Sequence, residues 1–312
     1  MSLFLGIDTS NYTTSVAVYN SENGEMLQRK QLLPVKQGQL GLRQSDAVFH
    51  HTQQLHTLVE DIAKEVDLSG VSALGVSTRP RPVDGSYMPC FTVGENTARI
   101  ISAVIKKPLL TFSHQEGHIA AALFSAARED LFEKEFLAFH ISGGTTEAVL
   151  AKGSTSSFSV KEAAKTLDLN AGQAVDRVGL MLGLKFPCGP QLEQLALNNT
   201  EKFKVRPTLK GADCCLSGLE NQCKKMLDNG ESEEKIAAFC LAFIKATLEK
   251  MTEKLLEQFG NLPVIFAGGV MSNSIIRNAL TEKFGATFAK PEYSADNAAG
   301  IAYLAYKKYT EI

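Results

Sequence analysis

Apolar residues recur along this chain with two periods, and the switching between them lays out the expected elements. Leu3 to Ile7 is a short apolar strand, Asp8-Thr9-Ser10-Asn11 a polar turn, and Ser15 to Tyr19 the return strand. Asn23-Gly24 marks a hairpin, because both residues tolerate the positive φ of a tight turn, and Met26 to Leu33 follows as a third strand. From Ser45 to Val66 the set Val48, Leu55, Leu58, Val59, Ile62, Ala63 and Val66 changes to helical spacing. Val71 to Ser77 is a fourth strand. Thr78 to Pro89 holds three prolines and Gly85, which makes it a loop. Gly94 to Ile105 is helical, Pro108 to Thr111 a fifth strand, and Ser113 to Arg128 a helix with Ser113 as its N-cap.

A similar order then begins again. Phe136 to Ile141 is a strand, Ser142 to Thr145 a turn, Glu147 to Leu150 the return strand and Phe158 to Val160 a third. Ala171 to Leu182 is a helix, 183–190 is punctuated by Gly and Pro, and 191–231 mixes helix and loop. Apolar positions keep a helical period from Glu233 to Phe259, which predicts a long buried helix. Val264 to Ala267 is a strand ending in Gly268-Gly269, a helix starts at Ser272, Ala286 to Ala289 is the last strand, and Asp296 opens the closing helix. Two halves of equal plan point to an α/β protein with a two-lobed, duplicated actin-like ATPase (RNase H-like) fold and a ligand cleft between lobes. One open doubly wound sheet fits the paired hairpins less well. The expected division is an N-terminal lobe, 1–132, and a C-terminal lobe, 133–312, with a helical insertion around 185–260.

Composition narrows the class only a little. The 312 residues are 44% hydrophobic and 21% charged, with a net charge of −2. That balance is ordinary for a globular protein and announces neither a membrane nor a global nucleic-acid surface. No apolar run approaches the roughly 20 residues that span a bilayer. The six cysteines form no CxxC pair, so they read as reduced, mostly buried thiols of a cytoplasmic protein.

Candidate chemistry sits at the turns and helix starts. His114 and His118, four apart, share one face of their helix and can hold a divalent metal; packing near a helix start is an equal alternative. Gln115 stands where a zinc protease needs its glutamate base. Ser142-Gly143-Gly144-Thr145 can turn backbone N–H groups toward an anion, and Gly268-Gly269 lies between a strand and a helix with Asn273 in its first turn, as a phosphate seat would. Tight turns alone also explain such pairs. Gly172 and Asp176 share a helix face, Asp8 is the acid of the first hairpin turn, and Asp296 is either a ligand or an ordinary N-cap. Ala298, Ala299 and Gly300 suggest close packing after Asp296.

Taken in order, Gly6 to Ser10, His114 to His118, Ile141 to Thr145, Ala171 to Asp176, Leu216 to Leu219, Ala267 to Val270 with Asn273, and Asp296 to Ala299 resemble the TsaD family. These are tRNA threonylcarbamoyladenosine biosynthesis proteins, formerly called O-sialoglycoprotein endopeptidases. The resemblance implies an acyltransferase that moves a threonylcarbamoyl group from an adenylate to the tRNA adenosine next to the anticodon. It implies one divalent metal, iron or zinc with magnesium as a further option, held by His114, His118 and Asp296. It also implies adenine nucleotide or acyl-adenylate near His140, Ile141, Ser142, Gly143, Gly144, Gly172, Asp176 and Asn273, with Asp8 facing the metal–phosphate region. The partners expected are tRNA and either a homologous actin-like subunit or a second copy of the chain.

Departures from the family cluster on the presumed substrate side. A Gly-Pro-Gly-rich segment is replaced by Thr78 to Pro89, with Arg79, Arg81, Tyr87 and Met88. The paired acids have become Asp168-Leu169, the acid after Gly172 is Gln173, Ser159 stands in place of an Asp, and Phe-Ser-Phe is now Asp213 to Leu216. The expectation is a divergent member or paralogue. A carbamoyltransferase with another acceptor and a non-catalytic partner subunit are the competing readings.

Overall fold

The computed structural model describes residues 2–10, 12–34, 42–293 and 298–311. By contact the chain divides into two compact units, one of residues 1–134, 152–159 and 292–312, the other of 135–151 and 160–291.

The first unit is built on a five-stranded sheet of order β3-β2-β1-β4-β5. Its strands are β1 (Leu3–Thr9), β2 (Thr13–Asn20), β3 (Met26–Leu32), β4 (Val71–Arg79) and β5 (Leu109–Ser113). β1 pairs antiparallel with β2 and parallel with β4. Every residue of β1 is buried, as a central strand covered on both faces must be. Helices α1 (Gln44–Ala63), α2 (Phe91–Ile105) and α3 (His114–Ser125) follow the order expected from spacing. α2 begins three residues earlier than its periodicity suggests, because Phe91 is buried and extends the apolar face. α3 starts where Ser113 predicts: Glu116 N donates to Ser113 Oγ, while Ser113 N donates to the Glu116 carboxylate at 2.8 Å, a reciprocal capping box.

The second unit repeats the plan with β6 (Glu135–Ile141), β7 (Thr146–Ser154), β8 (Ser157–Lys165), β11 (Val264–Ala267) and β12 (Thr287–Phe288), in the order β12-β11-β6-β7-β8. β6 and β12 both run parallel to β11. The same strand order twice is the duplicated α/β architecture expected. Helices α4 (Ala171–Met181), α5 (Gly189–Leu197), α6 (Ser217–Asp228), α7 (Glu233–Phe259) and α8 (Ser274–Phe284), with a small hairpin of β9 (Thr208–Lys210) and β10 (Asp213–Cys215), complete it. α7 runs 27 residues, capped by Ser232, and lays Ile236, Cys240, Phe243, Ile244, Leu248, Met251 and Leu255 into the core. β8 is longer than its apolar residues alone suggest. The last strand keeps only two residues, each half-buried. All six cysteines are free thiols and five are buried. Among the described residues no helix is long and apolar enough to cross a membrane.

The closing helix, α9 (Ala298–Tyr309), belongs to the first unit and explains the run of small residues that opens it. Gly6 and Gly75 are register partners on β1 and β4. A Cβ at Gly6 would lie 2.2 Å from the Ala298 carbonyl oxygen, and one at Gly75 would lie 2.7 Å from that of Ile301. A Cβ at Gly300 would meet the Gly117 carbonyl of α3 at 1.9 Å. The helix backbone therefore rests on a glycine floor and touches α3 without side chains between. Gly300→Ala should cost about 1–3 kcal/mol through overpacking, read as a lower urea midpoint. An unchanged midpoint would show that α3 and α9 do not meet this closely.

Candidate functional site

In the first unit the site is organised by Asp8, the last residue but one of β1, which is 1% exposed. Ser77 Oγ at the end of β4 donates to Asp8 Oδ1, and Ser10 N donates to Oδ2 at 3.3 Å. His114 Nδ1 donates to Oδ1 at 3.1 Å. Burial pushes this carboxyl up, but the His114 charge and the bonds from His114, Ser77 and Ser10 together hold it below the ordinary value. Asp8 is thus an anion kept in the core by its donors. Its bond to Nδ1 fixes the His114 ring, so Nε2 is the nitrogen a metal would take.

His118 lies one turn along α3, its ring 4.6 Å from that of His114 and edge-on to it. The helix places both rings together, as their spacing predicts, and Asp8 adds the carboxylate–histidine support usual around metal ligands. These two residues and their support fit a metal centre. Asp296, the third expected ligand, lies outside the described residues. Among the described residues no three His, Cys, Asp or Glu side chains converge as a metal group.

Spacing gave His51 no role, yet it is fully buried on α1 beside the same turn. Gln54 Nε2 donates to the Leu32 carbonyl at 3.3 Å, which orients the amide. Gln54 Oε1 then takes the one proton of the Thr14 hydroxyl, at 2.8 Å. His51 Nδ1, also 2.8 Å from Thr14 Oγ1, must therefore be the donor in that contact. Its Nε2 is buried with no hydrogen-bond partner among the described residues. Burial pulls its pKa down, against the Ser10 backbone and the Asp8 charge, which pull it up. The signal absent from the sequence is tertiary: Thr14 reaches His51 from β2, and Gln54 of the same helix sets the direction of that bond through Thr14.

In the second unit the expected nucleotide residues gather at the ends of β6 and β11. His140 and Ile141 close β6, and the turn after them folds on itself: Ser142 N donates to the Thr145 carbonyl at 2.7 Å. Gly144 N and Thr145 N donate to Ser142 Oγ at 3.3 and 3.1 Å. Three of the N–H groups expected to face an anion, those of Ser142, Gly144 and Thr145, are thus bonded within the turn. Gly172 N donates to the Ser142 carbonyl at 3.1 Å, and a Cβ there would meet Gly143 N at 2.6 Å. Packing of α4 onto the turn accounts for that glycine. Gly268 has φ +103°, and its Cβ would meet the Ile141 carbonyl at 2.2 Å. Gly143, Gly144 and Gly269, by contrast, have nothing within 4 Å of a built Cβ.

Asn273 is the N-cap of α8, its Oδ1 accepting from Ile276 N at 3.1 Å, and Glu193 of α5 accepts from Ser274 N at 2.7 Å. Asp176 Oδ1 accepts from Cys188 N at 2.8 Å, tying α4 to the start of α5. Asp168, the retained member of the paired acids, accepts from Leu216 N at 2.7 Å and from Ser217 Oγ at 2.6 Å. It clamps the start of α6. Burial pushes the Cys90 and Cys214 thiols each up to about 12, so neither is set up as a nucleophile.

A family model described as tRNA N6-adenosine threonylcarbamoyltransferase, TsaD, matches residues 35–303. A protein of that description from Archaeoglobus fulgidus is 26% identical over 310 residues, covering 98% of this chain and 91% of the relative. Another from a Sulfurihydrogenibium species is 30% identical, covering 98% and 90%. Among solved structures, component A of the Acidaminococcus fermentans (R)-2-hydroxyglutaryl-CoA dehydratase matches with TM-score 0.58, 17% identity and coverage of 99% and 100%. HypF of T. kodakarensis matches with TM-score 0.61 and 13% identity, covering 99% of this chain and 48% of that one. These likenesses show the fold, which is the actin-like one expected.

The glycines divide by what crowds them. Gly172→Ala and Gly268→Ala should each lower the urea midpoint clearly, whereas Gly143→Val and Gly269→Val should leave it within error of wild type; the reverse order would refute this packing. For His51 the sign is set by its lowered folded pKa. Folding favours the neutral ring, so its contribution is complete above the unfolded value of 6.5 and is lost as pH falls through the folded one. Between pH 7.5 and 5, wild type should therefore lose more stability than His51→Gln. Equal losses would place the ring in water.

Proposed function

Because the chain belongs to the TsaD family of tRNA N6-adenosine threonylcarbamoyltransferases, we propose that it transfers a threonylcarbamoyl group from an acyl-adenylate to the tRNA adenosine next to the anticodon. The observation that carries this reading is the family match over residues 35–303. Three features of the chain support it. The carboxylate-oriented His114 stands beside His118. Gly300, four residues after Asp296, packs on Gly117, the residue before His118. Gly143 and Gly269 leave open space at the ends of two parallel strands.

His114, His118 and Asp296 would hold one divalent metal, iron or zinc, with magnesium as the third option. When bound it supplies Lewis-acid stabilisation of the oxyanion that develops at the transferred carbonyl. The chain's own residues do the rest. Asp8 holds His114 by Nδ1, and the turn at Ser142–Thr145 with Gly269 accommodates the phosphate and nucleoside of the adenylate. His140, Gly172, Asp176 and Asn273 frame that seat. No thiol or serine is needed as a nucleophile, because the attacking amine belongs to the acceptor. A homologous actin-like subunit, or a second copy of the chain, is the protein partner we propose.

A different amine acceptor is the second reading, and the loop 78–89 favours it. Gln115 N donates to the Pro80 carbonyl at 3.0 Å, so this divergent loop is tied to the residue after His114. Its Tyr87 is 64% exposed and available to stack on a ring.

Purified protein given threonylcarbamoyl-adenylate and unmodified tRNA should yield the modified nucleoside by mass spectrometry. His114→Ala should lower bound metal, and Gly143→Val should weaken AMP binding in calorimetry. Arg79→Ala with Arg81→Ala should slow acceptor turnover at unchanged metal content. Transfer to small amines but not to tRNA would select the second reading. No transfer, with neither metal nor nucleotide bound, would overturn both.

A further inference from the structure

Residues 201–210, Glu-Lys-Phe-Lys-Val-Arg-Pro-Thr-Leu-Lys, alternate in burial with period two. Phe203, Val205, Pro207 and Leu209 are half-buried, while Lys202, Lys204, Arg206, Thr208 and Lys210 are exposed. The apolar side is anchored: Phe203 stands edge-on to Phe239 of α7 at 5.5 Å, and Val205 and Leu209 pack on the core of the second unit. β9 continues the segment and pairs with β10, where Lys210 faces Asp213.

What distinguishes the outer face is that three charges, unpaired among the described residues, stand at alternate positions of one anchored segment. Several lysines elsewhere in this unit are paired locally: Lys235 with Glu201 and Glu231, Lys250 with Glu253, Lys254 with Glu257, Lys283 with Glu249 and Glu253. Among the described residues Lys202, Lys204 and Arg206 make no salt bridge. The segment leads into β9 with a strand-like alternation of burial; at strand spacing alternate residues are about 6.6 Å apart, comparable to the spacing of successive phosphates along a single strand. The apolar anchors fix the backbone, so only the side-chain ends need ordering on contact.

We propose that Lys202, Lys204 and Arg206 form a track for the phosphodiester backbone of the RNA substrate, in a single-stranded or loop segment. This inference rests on the tRNA reading above and names a surface for it. Binding along such a track is electrostatic and independent of sequence, and it releases counterions from the nucleic acid.

The test is fluorescence anisotropy of labelled tRNA on wild type and on Lys202→Ala/Lys204→Ala/Arg206→Ala at several salt concentrations. Three single-strand phosphate contacts carry a slope of roughly 0.7 each in log affinity against log salt. The variant should therefore bind roughly tenfold more weakly at moderate salt, with a slope shallower by about 2. Its AMP affinity and thermal melt should match wild type, and the single variant Lys204→Glu should weaken tRNA binding in the same direction. Unchanged tRNA affinity and slope in both variants would overturn the track while leaving the tRNA reading intact. A wild type that binds AMP but no tRNA would remove both. Loss of binding to phosphatidylserine vesicles, with tRNA affinity unaltered, would reassign the stripe to a membrane surface and overturn the proposal.

Discussion

The close seating of α9 on the first sheet is the constraint from which much of this unit follows. Backbone-to-backbone contact is possible only where no Cβ intervenes, and Gly6 and Gly75 under the helix and Gly300 against the Gly117 carbonyl provide that. Any side chain there would push the last helix off β1 and β4 and separate it from α3. The helix carries Tyr303, whose ring packs edge-on with Tyr19 at 5.2 Å, so the seat is closed by aromatic bulk at the far side. Distant parts of the chain thereby meet: α9 comes from residues 298–309, α3 from 114–125, and β1 from the first ten residues. The histidine-bearing turn of α3 is held by this packing.

A second constraint is electrostatic. An ionised carboxyl that is 1% exposed is costly unless donors surround it. Asp8 meets that demand with Ser77, Ser10 and His114, contributed by β4, the first hairpin turn and α3. The arrangement ties three elements to one charge and fixes a histidine tautomer at the same time. His51, buried neutral beyond Thr14, adds a second imidazole with a defined proton position near that turn. The proton positions of both rings are thus set by neighbours rather than by solvent.

How much of this was legible in the sequence depends on the range of the interactions. Strands and helices with a clear period, and Ser113 as a cap, could be read because their determinants lie within a few residues. The duplication could be read from element order alone. The reasons for individual glycines could not. Gly172 and Gly268 read as ligand seats in the linear sequence, and each is also required by a neighbouring backbone, at Gly143 and Ile141 respectively. Asn273 looked like a ligand contact and is also a helix cap, and Asp176 is also bonded to Cys188 N. His51 carries no signal in the sequence because its partner, Thr14, is 37 residues back on β2, and Gln54, which fixes the proton of that contact, acts through Thr14, a geometry no metal spacing describes.

Charge gives the opposite lesson. A net charge of −2 argues against a standing basic surface only if the charges are spread evenly, and here they are not. Acidic residues on α7 pair with Lys250, Lys254 and Lys283, so the whole-chain balance reports pairing as well as surface potential. The same near-neutral total is compatible with a short cationic segment wherever the local sequence alternates base and apolar residue and lacks acids. Residues 202–206 meet both conditions, and the alternation that exposes their charges is the same one that buries Phe203 and Val205. Anchoring and exposure are therefore one property of the segment: removing the apolar face would free the charges from a fixed line, and a fixed line is what a polyanion's regular spacing can recognise.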